Sequence, residues 1–115
     1  MITKGSTKLI PAKNVIQGMN NAANNTAVTI TVAAVPERIH VLHKVVWSYN
    51  NTAVGGLYVQ NGAGNNVFEV DIIAGGPGGI DLNMDMSQNT AMIVTLKAGG
   101  TSVTGRLNIE YSTEA

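Results

Sequence analysis

Apolar and polar side chains alternate at a period of two residues from Thr26 onward. This alternation is typical of β-strands that place one face in a core and the other face outside it. It predicts strands over residues 28–32, 38–49, 56–60, 68–72, 92–96 and 103–111. Because no stretch shows the 3.6-residue period of a convincing amphipathic helix, we expect an all-β protein.

The longest predicted strand, residues 38–49, is expected to keep a single phase along its whole length. One face would then carry Ile39, Val41, Val45, Trp47 and Tyr49, and the other would carry His40, Leu42, Lys44, Val46 and Ser48. The second face is half apolar, so we expect it to be partly covered.

Glycine, asparagine and proline mark the turns between these strands. Residues 61–66 favour a hairpin, because Asn and Gly tolerate the positive φ of a tight reversal. The Gly-Gly-Pro-Gly-Gly run at residues 75–79 is expected to interrupt regular structure, and residues 80–86 would follow as a short strand or a crossing loop. About seven to nine short strands with such turns predict a jelly-roll-like antiparallel β-sandwich, with a barrel as the alternative.

The chain has 115 residues, which is the size of one domain. We expect residues 26–115 to form the sandwich and residues 1–25 to form an extended N-terminal arm, with brief strands at residues 7–10 and 14–17. The arm includes the polar stretch 20–25, which cannot anchor itself by hydrophobic burial. We therefore expect strand pairing or neighbouring subunits to hold it.

Charged residues make up only 12% of the chain, and seven basic residues balance seven acidic ones. A neutral surface without a basic patch makes nucleic acid or a membrane an improbable partner. The chain contains no cysteine, so it has neither a thiol nucleophile nor a thiolate metal site. We expect a protein that is not an enzyme, needs no cofactor or metal, and is made in the cytoplasm, since no secretion signal is apparent.

The remaining candidates for chemistry favour structural roles. His40 and His43 stand three residues apart on a predicted strand and would point to opposite faces, so they cannot chelate one ion together. Asp81, Asn83 and Asp85 resemble the start of a calcium loop, but Met86 and Met92 stand where that loop needs Gly and Glu. The glycine run at 75–79 lacks the lysine and the helix of a phosphate loop.

Three aromatic residues, Trp47, Tyr49 and Tyr58, are the candidates for an interface or ligand platform. Aromatic rings can stack on sugars or anchor a protein interface. Packing in the core or at an interface is the favoured interpretation, because Trp47 lies in phase with Ile39 and Val45.

The region from Ile39 to Tyr111 resembles small structural proteins of tailed bacteriophages, including the β-sandwich decoration or cement proteins of capsids. The resemblance is carried first by the strand that ends Val46-Trp47-Ser48-Tyr49, by the start of the next strand at Gly55-Gly56-Leu57-Tyr58-Val59, and by the Gly-Pro-Gly crossover. It is carried further along the chain by the run from Asn89 to Leu96 before Ala98-Gly99-Gly100, and by the closing strand from Val103 to Ile109. They cover about two thirds of the chain and exclude the arm.

This resemblance implies a component of the virion, assembled in the host cytoplasm and commonly a homotrimer seated on major capsid protein or other virion subunits. It implies no catalytic residues. The leading hypothesis is therefore a non-enzymatic decoration or cement protein that stabilises the head by bridging capsid subunits. The alternative is a carbohydrate- or receptor-binding β-domain of a phage tail or fibre that uses Trp47, Tyr49 and Tyr58.

Overall fold

The computed structural model describes residues 15–115, and these residues form eight β-strands without a helix. In chain order the strands are β1 (Ile16–Asn21), β2 (Val28–Val32), β3 (Ile39–Tyr49), β4 (Gly55–Asn61), β5 (Asn66–Ile72), β6 (Gly76–Asp85), β7 (Met92–Leu96) and β8 (Gly105–Glu114). They build two four-stranded antiparallel sheets, the first in the order β1-β8-β3-β6 and the second in the order β2-β7-β4-β5.

The connections between the strands identify the sandwich as a jelly roll. Only β4 and β5 are joined as a hairpin within one sheet, whereas each of the other six connections passes from one sheet to the other. The predicted jelly-roll-like antiparallel β-sandwich is therefore confirmed. The hairpin at residues 61–66 is confirmed too, with positive φ at Gly62 and Gly64.

The core lies between the two sheets and consists mainly of aliphatic side chains. Leu42, Val45, Leu107 and Ile109 of the first sheet face the inner residues of the second sheet. The inner residues of the second sheet that are fully buried are Val28, Leu57, Val59, Met92, Val94 and Leu96. Burying an aliphatic side chain of this size contributes about 1.5 to 3 kcal/mol. This packing holds the two outer faces and the loops in fixed positions.

The single phase expected for residues 38–49 is wrong, because β3 contains a bulge at His43. The register moves from Leu42 opposite Tyr111 to Lys44 opposite Glu110, so one extra residue is inserted on β3. A bulge reverses the alternation of the faces beyond it. Leu42 therefore shares the core face with Val45 and Tyr49, while Val41 is buried outside the core cluster.

The interruption expected at residues 75–79 is also wrong, because β6 begins at Gly76 and pairs with β3 along this run. Pro77 is tolerated because β6 is the edge strand of the first sheet, where a missing N–H need not break a ladder. Gly78 lies opposite Trp47, and a Cβ on Gly78 would lie 2.6 Å from the indole. The glycine here makes room for the large neighbouring side chain, so the strand continues.

The first strand lies inside the stretch that was expected to be an arm. Residues Ile16–Asn21 pair with β8 over six register positions, so this part of the chain is an edge strand of the sandwich. The brief strand expected at residues 7–10 lies outside the described residues, as does the start of the one expected at 14–17. Gly18 leaves room for Ile109 of β8, because an added Cβ would lie 3.1 Å from that side chain, and it places β1 beside Ile30 of the other sheet.

Candidate interaction surfaces

The three aromatic residues of the candidate platform lie in three different environments. Tyr49 is buried between the sheets, Trp47 is half-buried beside the core, and Tyr58 is half-buried on β4 of the second sheet. Leu57 and Val59, the neighbours of Tyr58, point into the core, so Tyr58 points to the outer face. The structure therefore does not bring the three rings onto one surface, and Tyr58 alone is displayed on an outer sheet face.

Tyr49 joins the two sheets through its hydroxyl group. Its O–H donates a hydrogen bond of 2.6 Å to the backbone carbonyl of Lys97. Burial raises the pKa of the Tyr49 phenol above its ordinary value, and a backbone hydrogen bond from Gly56 opposes that rise. The neutral phenol of Tyr49 therefore links the first sheet to the end of β7 in the second sheet.

The outer face of the second sheet is polar around Tyr58. Glu69 and Thr95 are its cross-strand neighbours, and the ammonium group of Lys97 lies 5.8 Å from the centre of its ring. A cation at this distance is attracted to the face of the ring. Thr95 is itself buried and shares a hydrogen bond of 3.0 Å with Thr29. This face displays one aromatic ring among hydroxyl and carboxylate groups.

Two depressions lie on the outer face of the first sheet. A depression of about 310 Å³ lies over β1, β3 and β8, and its lining includes Met19, Lys44, Val46, Asn108 and Glu110. A second depression of about 440 Å³ lies over β3 and β6 and shares Lys44 and Val46 with the first. The two form one shallow trough across the sheet. Such a trough suits an extended protein segment better than a small molecule that must be enclosed.

Among residues 15–115, three large aliphatic side chains are strongly exposed, and the sequence pattern did not single them out. Met19 is 73% exposed, Val54 79% and Ile73 75%. Val54 directly precedes β4 and Ile73 directly follows β5, and the pairing of Gly55 with Ile72 makes them neighbours at one end of the second sheet. Both are apolar residues adjoining a turn, just outside a strand. That position is the signal that could have identified them.

The two histidines have separate structural contacts. His40 is buried, and its two ring nitrogens lie 2.8 Å from the hydroxyl of Thr113 and 2.8 Å from the carbonyl of Ala33. His43 lies at the bulge, with Nε2 at 2.8 Å from the hydroxyl of Ser112. These contacts hold β3 to β8 and to the β2–β3 connection.

The three acidic and amide residues considered for a calcium loop lie on an extended strand instead. Asp81, Asn83 and Asp85 alternate along β6 and are all exposed. Alternate strand residues stand about 6.6 Å apart along a straight path, which does not wrap one ion as a loop does. Within residues 15–115, no three His, Asp or Glu side chains cluster as metal ligands would.

Helices that could cross a bilayer, judged by length and hydropathy, are absent from the part of the chain that the structure describes.

Comparisons with known proteins show the fold and leave the family open. Neither a protein-family model nor a curated protein matches the chain. A chain from the acid-stable capsid of Helicobacter pylori bacteriophage KHP30 is similar at a TM-score of 0.54 and 16% identity, over 85% of this chain and 86% of that chain. PirA is similar at a TM-score of 0.53 and 12% identity, over 81% of this chain and 92% of that chain. At these identities the likeness shows a shared β-sandwich fold.

Proposed function

We propose that this chain is a non-enzymatic structural protein of a virion, of the decoration or cement type, which stabilises the head by bridging capsid subunits. The observation that carries the proposal is the pair of exposed aliphatic side chains Val54 and Ile73 at one end of the sandwich. Exposed apolar side chains that lie next to each other are a feature of protein contact sites, and two large ones adjoin here. The fold shared with a phage capsid chain supports the same conclusion.

The mechanism is the burial of surface between copies and capsid subunits. A standard interface removes roughly 1,200 to 2,000 Å² from water. The end patch of Val54 and Ile73 would supply apolar anchors, and the depressions that Lys44 and Val46 line on the first sheet would supply a second contact surface. Repetition around a symmetric shell multiplies a contact that is weak in a single copy.

The partners in this proposal are major capsid protein and other copies of the chain. The chain would assemble in the host cytoplasm as a homotrimer and remain on the virion. Sedimentation equilibrium of the purified protein tests the trimer directly, because a stable trimer of a 12.0 kDa chain has three times the mass of the monomer. A monomer at every concentration would contradict that part of the proposal.

The decisive experiment uses capsids that lack the protein. Purified protein is mixed with these capsids, and the particles are pelleted to measure how much protein binds. The temperature at which the particles disrupt is then recorded with and without the bound protein. We expect saturable co-sedimentation and a higher disruption temperature. The double change Val54→Asp and Ile73→Asp should weaken binding at least tenfold, because it places charges in an apolar contact. The control double change Val35→Asp and Val67→Asp alters two other exposed valines and should bind normally.

The alternative function, a carbohydrate- or receptor-binding domain of a tail or fibre, has one specific observation in its favour. Tyr58 stands on an outer sheet face beside Glu69 and Lys97, and an aromatic ring flanked by polar groups is a common sugar-stacking arrangement. A glycan array tests it. Binding that Tyr58→Ala abolishes, and that Tyr58→Phe retains, would favour this alternative over capsid bridging.

A further inference from the structure

The charges of this neutral chain are separated along its length. Lys4, Lys8 and Lys13 lie in residues 1–14, which contain no acidic residue. Residues 15–115 therefore hold all seven acidic residues and four basic ones, a net charge of minus three. A basic segment joined to an acidic sandwich provides charges that attract each other within or between copies.

The acidic residues concentrate on the two edge strands at one side of the sandwich. Glu69 and Asp71 lie on β5, and Asp81 and Asp85 lie on β6. All four are exposed, and neither strand carries a basic residue. The described residues place no further strand beyond β5 or β6, so the outward backbone groups of both edges are free to pair.

The inner faces of these two edge strands are incompletely covered. We name this side the edge groove, and its half-buried apolar residues are Trp47, Phe68, Val70, Ile80, Leu82 and Met84. On the opposite side the sandwich is closed, since Gly18 of β1 packs against Ile30 of β2. The edge groove thus combines a free strand edge, exposed carboxylates and partly exposed apolar side chains, which together are the requirements for adding a strand.

We propose that the edge groove receives residues 1–14 of a second copy of this chain, which add an antiparallel strand to the free edge of β6. The segment Thr7 to Ile10 contains a β-branched Thr, the apolar residues Leu9 and Ile10, and ends at Pro11. Lys4 and Lys8 are four residues apart, as are Asp81 and Asp85. In this register Lys8 lies beside Asp81 and Lys4 beside Asp85, while Leu9 faces the groove beside Ile80.

The geometry favours a second copy over insertion within one chain. β1 and the position beyond β6 are separated by four strand spacings, or about 19 Å, and Ile80, level with Ile109 of β8, lies about 7 to 13 Å along the strands from the level of Ile16. The seven residue steps from Leu9 to Ile16 span at most about 25 Å when fully extended. The direct path of about 20 to 23 Å runs through β8 and β3. A route around the sandwich is longer, so the segment reaches a neighbour more readily than its own groove.

The inference rests on the proposed bridging function but has its own readout, which is self-association in the absence of capsids. Sedimentation velocity of the full chain should show the proposed trimer, as a closed ring of exchanged segments, or longer open chains of copies. The association between copies should weaken as the salt concentration rises. The double change Lys4→Glu and Lys8→Glu, and separately Asp81→Lys and Asp85→Lys, should each weaken association at least tenfold. Combining all four changes should restore it. The control Arg106→Glu, an exposed charge on β8, should leave association within twofold.

Cross-linking determines which chain supplies the segment. The chain contains no cysteine, so Lys8→Cys and Asp81→Cys can be introduced singly into two preparations and mixed. Neighbouring strands bring such a pair within the Cα separation of a disulfide. A mixed disulfide identified by mass spectrometry supports exchange between copies. A disulfide formed within one chain carrying both cysteines, or association unaffected by the charge reversals, overturns the inference, whereas failure to bind capsids would overturn only the proposed function.

Discussion

The indole of Trp47 lies directly over Gly78 of the neighbouring strand, and a Cβ at Gly78 would approach the ring to 2.6 Å. Real Cβ atoms do not approach so closely, so Gly78→Ala must displace the indole or the edge strand. We expect it to lower the free energy of unfolding by about 1 to 3 kcal/mol. Urea denaturation followed by Trp47 fluorescence measures this effect.

A control lies one residue further along the same strand. At Gly79 the nearest heavy atom to an added Cβ is 3.4 Å away, an ordinary contact. Gly79→Ala should therefore change the free energy of unfolding by less than about 1 kcal/mol, with the gain in strand propensity offsetting any cost. Equal destabilisation by both substitutions would mean that backbone freedom, and not the space under the indole, is what matters at Gly78.

Local patterns predicted most of the strands because burial imposes a period of two on each of them. The runs at residues 28–32, 92–96 and 103–111 correspond to β2, β7 and most of β8. The pattern failed where a contact between distant residues decided the outcome. At His43 an inserted residue reverses the faces, and at Gly78 a glycine belongs in a strand because Trp47 needs the space above it.

The interaction surfaces were harder to predict than the fold. The sequence identifies Tyr49 as a candidate interface or ligand residue, but only the pairing of the strands shows that it is buried between the sheets. The patch of Val54 and Ile73 arises because β4 and β5 are paired in one register. Residues that are remote in sequence become neighbours through that pairing, which no local pattern contains.

Tyr49 provides a prediction on alkaline stability. Tyr49→Phe leaves the carbonyl of Lys97 without its 2.6 Å hydrogen bond and should cost about 1 to 3 kcal/mol at pH 7. The folded chain raises the pKa of this phenol above its unfolded value of about 10. The associated stabilisation is therefore complete below about pH 10 and is lost as the pH rises further.

The measurement is urea denaturation at pH 7, 9 and 11. The free energy of unfolding of the original protein should fall more steeply above pH 10 than that of the Tyr49→Phe variant. Tyr58→Phe, which removes a hydroxyl on the outer face, should retain nearly the original stability at pH 7. A Tyr49→Phe variant with the same alkaline slope as the original would contradict the assigned role of burial.

The two histidines should differ in their contribution to stability. His40 is 1% exposed and contacts Thr113 and Ala33, so His40→Ala removes two hydrogen bonds and leaves a cavity. We expect a loss of about 2 to 4 kcal/mol. His43→Ala removes one contact, to Ser112, at a half-buried bulge, and should cost about 1 kcal/mol or less. Thermal unfolding at neutral pH compares them, and a larger effect at His43 would contradict the contacts described.

Asn61 and Ser87 join the hairpin of β4 and β5 to the connection after β6 through two reciprocal hydrogen bonds. The Asn61 amide donates to the Ser87 hydroxyl at 2.9 Å, and the Ser87 backbone N–H donates to the Asn61 side-chain oxygen at 2.9 Å. Asn61→Ala removes both bonds and should cost about 1 to 2 kcal/mol, whereas Ser87→Ala removes one and should cost about half as much.

A double-mutant cycle separates this contact from the individual effects of each substitution. Because Asn61→Ala already removes the bond to the Ser87 hydroxyl, adding Ser87→Ala should cost almost nothing more, giving a coupling energy of about 0.5 to 1 kcal/mol. Asn83→Ala, at an exposed position on β6, is the control and should change stability by less than about 0.5 kcal/mol. Strictly additive effects of Asn61→Ala and Ser87→Ala would show that the two side chains do not act together at this end of the sandwich.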